Sequence, residues 1–459
     1  MRTLDQILTK KDYSRKTPAS LFYKDSPLWQ KLLTIGCVVF LSVAGLGEWK
    51  VLNGMLGGLP KAITLGVIGL AMLYTLFYPD EKRLREIWKP TLLYMSLMAV
   101  LFFWSVVIWV ESFAAVSSMI RSCSKLVFQS IAILTAVALV YLFREKAIEL
   151  FTISICITNG AIMLLCIPEY GVGASIQSLV TCLVTFGDAV GYARQLEIHD
   201  LTFVFGQMIL YYAVFAPRTT RQEKRKRWLY LLLCCWFFLV GMKRSAIPAV
   251  LLFILISLLL RKRKVSGRLY PAVGVCCILF FLVFLYCVRY GIISRLLNSF
   301  GIDMMGRDYL WSMANPYYEF SVTYLGHGFE YVDTIISQWY DAGLINQPFP
   351  FHNDILKVFV EMGFPGFLLW SGIQYVLTPL FWQRYADQQT ALLYMCELGY
   401  MTVTYLTDNT AFYFWSAMAL RLVPLAYAME RKKPPEPKVW MPDSRQEMRD
   451  RIRILMQEG

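Results

Sequence analysis

The chain has 459 residues, of which 57% are hydrophobic and 17% charged, and its formal net charge is +13. A soluble domain of this length cannot bury so much apolar surface, so the composition excludes an ordinary soluble protein and indicates a membrane protein. Apolar stretches of roughly 17 to 25 residues recur along the chain and predict an all-α polytopic fold, because helices satisfy their own backbone hydrogen bonds in lipid.

Residues 1–30 are polar and basic, too long and too charged to begin a cleaved signal peptide, and predict a cytoplasmic N-terminal tail. About twelve membrane spans follow, each near the length that a helix needs to cross a bilayer. They are predicted at 31–46, 60–78, 91–110, 125–143, 147–167, 201–215, 228–241, 245–260, 270–288, 363–381, 391–406 and 411–428. The first nine fill 31–288, the last three fill 363–428, and 429–459 is a cytoplasmic C-terminal tail.

Positive charge is concentrated between alternate spans, in basic runs at 81–89, 218–227, 261–268 and 431–433. Cytoplasmic loops of membrane proteins carry an excess of Lys and Arg, so these runs and both termini are assigned to the cytoplasm. Membrane topology therefore explains the net charge, and no nucleic-acid partner is expected.

Two segments on the opposite side are long. Residues 168–200 are mildly amphipathic and predict a helix at the membrane interface. Residues 289–362, between the ninth and tenth spans, form the largest extracytoplasmic loop, and loops of that length are usually functional. The many aromatic rings of this loop suit stacking on sugar rings, although an interfacial aromatic belt over a small core is the simpler explanation.

Eleven cysteines are scattered through the chain without a CxxC pair or a ligand-like spacing to histidine. Free, buried thiols are the simplest interpretation of that pattern. We expect no structural disulfide, no metal site and no cofactor.

Cations on the outer face are informative because the positive-inside rule disfavours them. Lys243 and Arg244 lie at a short outer turn, where they either reach lipid phosphate or bind an anionic group of a substrate. Arg307 lies four residues before Trp311, on the same face of a predicted helix. An arginine fork can grip a diphosphate, but an ion pair with Asp303 or Asp308 explains Arg307 equally well.

His352 is one of three histidines and lies where the outer loop meets the tenth span. A neutral imidazole can take a proton from a hydroxyl nucleophile near neutral pH, and Asn353 or Asp354 could orient the ring. A hydrogen-bonded interface residue is the alternative interpretation. The same alternative applies to His199 and His327, which have less supporting context.

Four segments occur in a characteristic order: GMKRS at 241–245, GRDYLW at 306–311, GHGFEY at 326–331 and HNDILKVFVEMGFPG at 352–366. Their order, late in a polytopic chain and around a large outer loop, resembles the bacterial O-antigen ligase and polysaccharide polymerase family. The most specific piece is the pattern H-N-x-x-L…E-x-G-x-x-G. Its residues here are His352, Asn353, Leu356, Glu361, Gly363 and Gly366. The motif-bearing part covers 230–370, and the first five spans agree in span pattern only.

The resemblance implies a GT-C-like glycosyltransferase architecture and glycan transfer from an undecaprenyl-diphosphate donor to an acceptor hydroxyl, outside the cytoplasmic membrane and without a metal. It implies that Arg244 and Arg307 hold the donor diphosphate and that His352 activates the acceptor hydroxyl. Many members have Ser before the turn arginine; here Lys243 stands there, and we expect it to share the phosphate contact.

Other polar and aromatic residues of these motifs are candidate contacts to the acceptor or its sugars. They are Asn353, Trp311, His327 and Glu361. Glu361 has an alternative, which is to cap the local backbone and pack at the entrance of the next helix. Arg421 lies inside the last span, where it either reaches the cytoplasmic face or pairs within the bundle, and it is not placed in the site.

The sequence therefore predicts a membrane glycosyltransferase that polymerises repeat units of a capsular, exopolysaccharide or O-antigen glycan in a bacterial cytoplasmic membrane. A ligase that moves the finished glycan to another acceptor is the alternative with the same residues. A lipid-oligosaccharide flippase or transporter is the alternative from a different class, but it is expected to place ionisable groups near the bilayer midplane and to show repeats. Expected partners are membrane lipids, the lipid-linked donor, the glycan acceptor, a flippase and a chain-length regulator.

Overall fold

The computed structural model describes residues 28–49, 52, 55, 59–112, 114–185, 189–263, 265–301, 304 and 306–431, and these residues form an all-helical structure. The helices are α1 Leu28–Leu46, α2 Leu59–Ala62, α3 Leu65–Phe77, α4 Glu81–Ser112, α5 Val116–Phe143, α6 Ala147–Tyr170, α7 Val172–Thr185, α8 Gly191–Gln195, α9 His199–Leu210, α10 Arg221–Val240, α11 Ala246–Arg261, α12 Leu269–Arg289, α13 Ile292–Ser299, α14 Arg307–Ala314, α15 Tyr331–Asp341, α16 Asp354–Ser371, α17 Thr378–Tyr385, α18 Gln388–Thr407 and α19 Phe414–Arg431. Most of both predicted tails lies outside the described residues.

Short irregular helices join some of these elements. A 3₁₀ turn at Arg144–Lys146 separates α5 from α6, and another at Asn315–Tyr317 follows α14. Wider π turns at Tyr211–Phe215 and Gly372–Leu377 extend α9 and connect α16 to α17. Such turns change the direction of a helix without exposing its backbone to lipid.

The helices confirm a polytopic membrane protein. Among the described residues, five helical segments are long and apolar enough to cross a membrane: Leu28–Leu46, Glu81–Ser112, Val116–Tyr170, Leu269–Arg289 and Asp354–Tyr385. The third has 55 residues, a length of roughly 80 Å as one helix, which is far more than a bilayer core. Arg144 has a φ of 51° and separates α5 from α6 within it. The count of twelve spans stays a prediction.

Two helices differ from their predicted spans. The basic run at 81–89, predicted to lie between two spans, forms the first turns of α4, because its charged side chains are good helix formers and Arg83 pairs with Asp80 at 3.0 Å. The predicted span at 60–78 is divided into α2 and α3. Other boundaries are close, and α12 differs from its predicted span by one residue at each end.

The centre of the bundle is α19. All of its residues from Phe414 to Met429 are buried, so this helix has no face left for lipid. It packs against α5 and α9, whose residues are also buried on several sides. Arg421 is 6% exposed and donates to the Ala417 carbonyl, which supports the alternative in which it stays within the bundle.

The basic segments gather at one end of the bundle. Arg227 and Arg261 donate to carbonyls at the end of α9, and Arg431 pairs with Asp387 between α17 and α18. Arg144 pairs with Glu86 at 3.1 Å and joins the α5 end to α4. The opposite end holds the turn after α4, the turn between α10 and α11, and the long segment 289–362. We call it the His352 end.

The long segment 289–362 contains helices rather than one open loop. It carries α13, α14, α15 and the connection into α16. Helix α15 buries Val332, Ile335, Ile336 and Trp339 against the rest of the segment, as expected from the small-core interpretation of its aromatic residues. The segment is therefore a folded cap, able to hold side chains in fixed positions.

The predicted interfacial segment 168–200 also forms helices. Helix α6 continues to Tyr170, Gly171 has a φ of 75°, and α7 then begins at Val172. Val172, Ile176, Val180 and Val184 are exposed along one face of α7, whereas Ser175 and Cys182 are buried. This spacing is the amphipathic pattern that the sequence predicted, and its position at a lipid interface stays a prediction.

Gly363 breaks α16 in the middle. Its φ of 63° and ψ of −172° are open to glycine but strained for other residues, and a Cβ there would collide with the backbone of Tyr324 and Leu325. The break faces residues 324–326, at the start of the GHGFEY segment, and Phe364 donates its N–H to the Tyr324 carbonyl at 2.8 Å. The two glycine-containing motifs therefore pack backbone against backbone.

The break also leaves helical carbonyls without partners inside α16, and neighbouring groups satisfy them. The Glu361 carbonyl accepts from the N–H groups of His327 and Gly328 at 3.0 and 2.8 Å. The Met362 carbonyl accepts from the Trp104 indole at 2.8 Å. A broken helix at membrane depth is stable only when its freed backbone groups are bonded in this way.

Replacing Gly363 by alanine is expected to destabilise the protein, by about 1–3 kcal/mol for the backbone strain alone, with the collision adding to that. Thermal unfolding of the purified full-length protein in detergent measures the effect. Gly69→Ala in α3 is the matched control, because a Cβ at Gly69 meets nothing within 4 Å. Equal unfolding temperatures for Gly363→Ala and Gly69→Ala would contradict this account of the break.

Candidate active site

His352 is held in a strained backbone conformation at the start of α16. Its φ of 48° lies in the left-handed region, which is uncommon for residues other than glycine and is often found at functional sites. Both neighbours are fixed: the Phe351 carbonyl accepts from the Trp311 indole at 2.9 Å, and the Asn353 side chain caps α16 by accepting from the Leu356 N–H at 3.0 Å. These bonds aim the imidazole in one direction.

Asp408 is the residue that orients the imidazole. Its Oδ1 lies 3.3 Å from Nδ1 of His352. An ionised carboxylate only accepts hydrogen bonds, so Nδ1 carries the proton and Nε2 keeps its lone pair. Burial acts to raise the pKa of Asp408, but the hydrogen bond from His352 and the charge of Lys243 outweigh it, so the pKa lies below its ordinary value. Asp408 therefore stays negative and can stabilise a protonated imidazole.

Lys243 lies behind Asp408. Its ammonium group is 3.9 Å from Oδ2 of Asp408, 2.9 Å from Oε1 of Glu197 and 3.4 Å from Nε2 of His199. Glu197 and His199 lie within hydrogen-bond distance of this ammonium group, whereas Asp408 is near enough for an ion pair but not for a hydrogen bond. These contacts suit a positioning role for Lys243, and its predicted contact to the donor diphosphate stays a prediction.

The turn that carries Asp408 is anchored from several helices. Asp354 accepts from the Ala411 N–H at 2.7 Å, and the Gln129 side chain donates to the Phe412 carbonyl. Asp200 caps α19 by accepting from the N–H groups of Trp415 and Ser416 at 2.8 and 2.9 Å. Asp408 is therefore fixed opposite His352.

The prediction that Asn353 or Asp354 orients His352 is wrong. The Asn353 side chain turns back to cap its own helix, and Asp354 turns to the Ala411 backbone. Asp408 was not recognised in the sequence because it is 56 positions from His352. The available signal was its place in TDNT, a short polar turn between two apolar spans at the outer end.

The two arginines lie on segments that contact the neighbours of the His352–Asp408 pair. Arg244 is exposed and precedes Ser245, whose hydroxyl is 3.5 Å from that of Thr407, next to Asp408. Arg307 is half-buried and begins α14, one turn before the Trp311 that binds Phe351. Diphosphate binding by these two arginines stays a prediction.

The proposed ion pair of Arg307 can be tested in part. Among the residues that the structure describes, no carboxylate lies within ion-pair distance of the Arg307 guanidinium, and this includes Asp308. Asp303, the other predicted partner, lies outside the described residues. Gly306, with a φ of 78°, is the N-cap residue of α14, and Arg307 is the first residue of that helix.

Glu361 and His327 are engaged within the protein. Glu361 is 0% exposed, and its Oε1 accepts from the Val332 N–H at 3.2 Å, at the beginning of α15. This geometry supports the capping alternative over a direct sugar contact. His327 stacks on Tyr331 with 4.1 Å between ring centres and bonds the Tyr317 carbonyl at 2.7 Å. Burial lowers the pKa of His327, so it favours the neutral form and secures the cap.

A second group of charges lies under His352. The Lys357 ammonium contacts Asp333 at 3.0 Å, Glu330 at 3.2 Å and Glu361 at 3.8 Å, and Lys125 lies 3.8 Å from Glu330. Burial acts to raise the pKa of Asp333, but the Lys357 charge outweighs it and keeps that pKa low. Mutual neutralisation makes these buried charges tolerable, and the group connects α5, α15 and α16.

Two adjoining cavities open at this end. The smaller, of about 100 Å³, is lined by His352 and by Lys125, Asp333, Pro350, Phe351, Asn353, Asp354, Lys357, Asn409, Phe412 and Tyr413. The larger, of about 400 Å³, is lined by Glu48, Lys61, Lys125, Phe128, Gln129, Glu197, Ile198, His199, Asp200, Phe412, Tyr413 and Phe414. Lys125, Phe412 and Tyr413 line both.

In the part of the chain that the structure describes, no group of three or more His, Cys, Asp or Glu side chains is placed to hold a metal ion. The chemistry available here is that of an oriented imidazole with nearby cations. Such a pair of His and Asp can remove a proton from a hydroxyl and stabilise the imidazolium that forms.

Comparison with protein families gives a match to part of the chain. Residues 229–371 match the family model described as O-antigen ligase. No curated protein matches the chain. The matched residues run from the middle of α10 to the end of α16, and so include Lys243, Arg244, Arg307 and His352 but not Asp408. Within a polytopic helical membrane protein, residues 229–371 are thus similar to the O-antigen ligase family.

Proposed function

We propose that this protein polymerises cell-surface polysaccharide, by transferring glycan from an undecaprenyl-diphosphate donor to an acceptor hydroxyl on the outer face of the cytoplasmic membrane. The observation that carries the proposal is that Asp408 orients His352 beside a cavity, and that His352 lies in the region similar to the O-antigen ligase family. The imidazole has a defined tautomer, an anionic partner and space beside it. Those are the requirements of a general base.

The proposed step is a single displacement at the first carbon of the donor sugar. Nε2 of His352 takes the proton of the acceptor hydroxyl while the acceptor oxygen bonds to the sugar carbon. The bond between that carbon and the diphosphate oxygen breaks, and its electron pair leaves with the diphosphate. Asp408 stabilises the imidazolium formed, which returns its proton to solvent after product release.

Arg244 and Arg307 supply positive charge to the leaving diphosphate in this proposal. A guanidinium matches the geometry of phosphate oxygens and forms two parallel hydrogen bonds. Negative charge grows on the diphosphate as its bond to the sugar breaks, so fixed cations stabilise the transition state more than the bound donor. Both residues lie on segments packed beside the His352–Asp408 pair.

The orientation of the protein follows from its basic end. The segments around Arg227, Arg261 and Arg431 carry the excess of cations, and the positive-inside rule assigns them to the cytoplasm. His352 then faces outward, where lipid-linked repeat units are assembled into polymer. Both termini are cytoplasmic in this proposal.

A ligase that moves a finished glycan onto a different acceptor is the second candidate, because the matched family is described by that activity. The same base and the same arginines serve either reaction. A lipid-oligosaccharide flippase is the candidate from another class. Glu397 and Arg421 are ionisable groups buried inside the bundle, as a transporter requires, but neither lines the two cavities at the His352 end.

Deleting the gene in its host strain and following the lipid-linked pool tests the proposal. We expect single repeat units to accumulate on the lipid carrier and on the cell surface, while long chains disappear. Accumulation of long lipid-linked chains would instead establish a ligase. The lipid-linked unit trapped on the cytoplasmic face would establish a flippase, and an unchanged glycan profile would contradict all three functions.

A further inference from the structure

The larger cavity at the His352 end has no role in the proposed proton transfer. Its volume of about 400 Å³ is within the range of ligand pockets, roughly 300–1,000 Å³. It lies between α5, the start of α9 and the turn before α19. The turn residues Phe412 and Tyr413 also line the small cavity that contains His352, so the two spaces adjoin.

The lining of this cavity combines charged groups with aromatic rings. Glu48 and Lys61 form an ion pair at 3.3 Å, and Glu197 and Lys125 add further charge. Phe128 is half-buried and contributes an aromatic ring to the same wall. Sugars bind to such surfaces through hydrogen bonds from their hydroxyls to charged side chains and through contact of their C–H faces with rings.

Lys125 is the residue at the junction. It lines both cavities and its side chain is 38% exposed. Its contact to Glu330 is 3.8 Å, longer than a hydrogen bond, so its ammonium donors remain available to a ligand. A glycan that extends from the larger cavity to His352 would contact this ammonium group.

The cavity is suited to the acceptor and not to the donor diphosphate. The described residues that line either cavity include lysines but neither Arg244 nor Arg307. If the two arginines hold the diphosphate, the donor occupies a separate surface. The space beside the base is then left for the molecule whose hydroxyl the base deprotonates.

We propose that the cavity of about 400 Å³ binds the terminal sugars of the acceptor glycan, and that Lys125 positions the acceptor hydroxyl beside His352. This inference rests on the proposed function and adds to it a binding site for one of the two substrates. The ligand class is a short oligosaccharide without lipid or diphosphate, recognised by hydroxyl hydrogen bonds and ring contact.

Binding of a lipid-free oligosaccharide tests the inference separately from catalysis. The probe is the repeat-unit oligosaccharide released by mild acid from the host's lipid-linked pool, titrated calorimetrically into the full-length protein in nanodiscs. We expect Lys125→Met to weaken binding about 10-fold or more, as for loss of a hydrogen bond from a charged group. Phe128→Ala is expected to weaken binding without changing charge.

Two variants serve as comparisons. Lys89→Met removes an exposed lysine from the basic end and is expected to bind the probe as the original protein does. Arg307→Ala is expected to bind the lipid-free probe normally, since that arginine is assigned to the donor. Loss of probe binding in Arg307→Ala would overturn the separation of the two sites.

The inference and the proposed function fail in different ways. Normal probe binding by both Lys125→Met and Phe128→Ala overturns the inference, and so does a protein that transfers glycan without binding the probe. The proposed function fails if the original protein produces no polymer from purified lipid-linked repeat units. Elution as a monodisperse peak in gel filtration shows that each variant is folded.

Discussion

Replacing His352 by alanine is expected to lower the rate of glycan transfer by ~10²–10⁴-fold, the usual contribution of a positioned general base. The imidazole is the group at the small cavity whose tautomer leaves a nitrogen lone pair available for a proton. The rate is measured with purified protein in proteoliposomes supplied with lipid-linked repeat units, and polymer is followed as a ladder on a gel. Full-length polymer made at the original rate by His352→Ala would remove its role as the base.

The Asp408→Asn substitution tests what the negative charge of Asp408 contributes, because it leaves the imidazole of His352 in place. The amide oxygen can still accept from Nδ1 of His352, but the negative charge that stabilises the imidazolium is lost. We expect a rate between those of the original protein and His352→Ala, with unchanged binding of the lipid-free oligosaccharide. Asp341→Asn, at the exposed end of α15, is the matched control and should keep the original rate.

The low pKa of Asp408 also sets the sign of its pH effect. The pKa of Asp408 is lower in the folded protein than in the unfolded chain, where it is about 3.9. Ionised Asp408 therefore stabilises the fold fully above about pH 3.9, and this stabilisation is lost as the pH falls through the pKa of the folded protein. Near neutral pH this carboxylate is ionised. A loss of glycan transfer at pH 5 to 6 would therefore reflect protonation of a group other than Asp408.

The helical membrane architecture could be predicted because the signal is local. A run of apolar residues predicts a helix in lipid wherever its partners lie, and α12 and α18 agree with their predicted spans within a few residues. Local pattern fails where tertiary contacts decide. The basic run at 81–89 continues α4 because Arg83 reaches back to Asp80 and across to the Tyr141 carbonyl, and no periodicity reveals that second contact.

The candidate site was predictable for its motif residues and not for their partners. Arg307 stands out as a cation on the outer side of a membrane protein, and His352 as a polar residue at the boundary of a membrane span. Both are recognised from residues close to them in the sequence. Asp408 and Lys125 are distant in sequence and meet His352 only through the folding of α5 and the turn before α19. Lys243 lies beside Glu197 and Asp408, partners that its local sequence does not reveal, and its contact to the donor diphosphate stays a prediction.

Replacing Arg307 by alanine is the second large effect, an expected loss of ~10²–10³-fold in transfer rate, comparable to removing one donor that stabilises a developing anion. Arg307→Lys keeps the charge but loses the planar fork, so it should recover only part of that loss. If the guanidinium acts mainly on the leaving diphosphate, kcat falls while KM for the lipid-linked donor changes little.

Arg295→Ala, an exposed arginine on α13, provides the control for general loss of positive charge at this end. A rise in KM with an unchanged kcat would instead show that Arg307 holds the donor equally in the ground state and the transition state. Normal kinetics for Arg307→Ala would remove Arg307 from the proposed mechanism. Arg244 would then be the arginine that stabilises the leaving diphosphate.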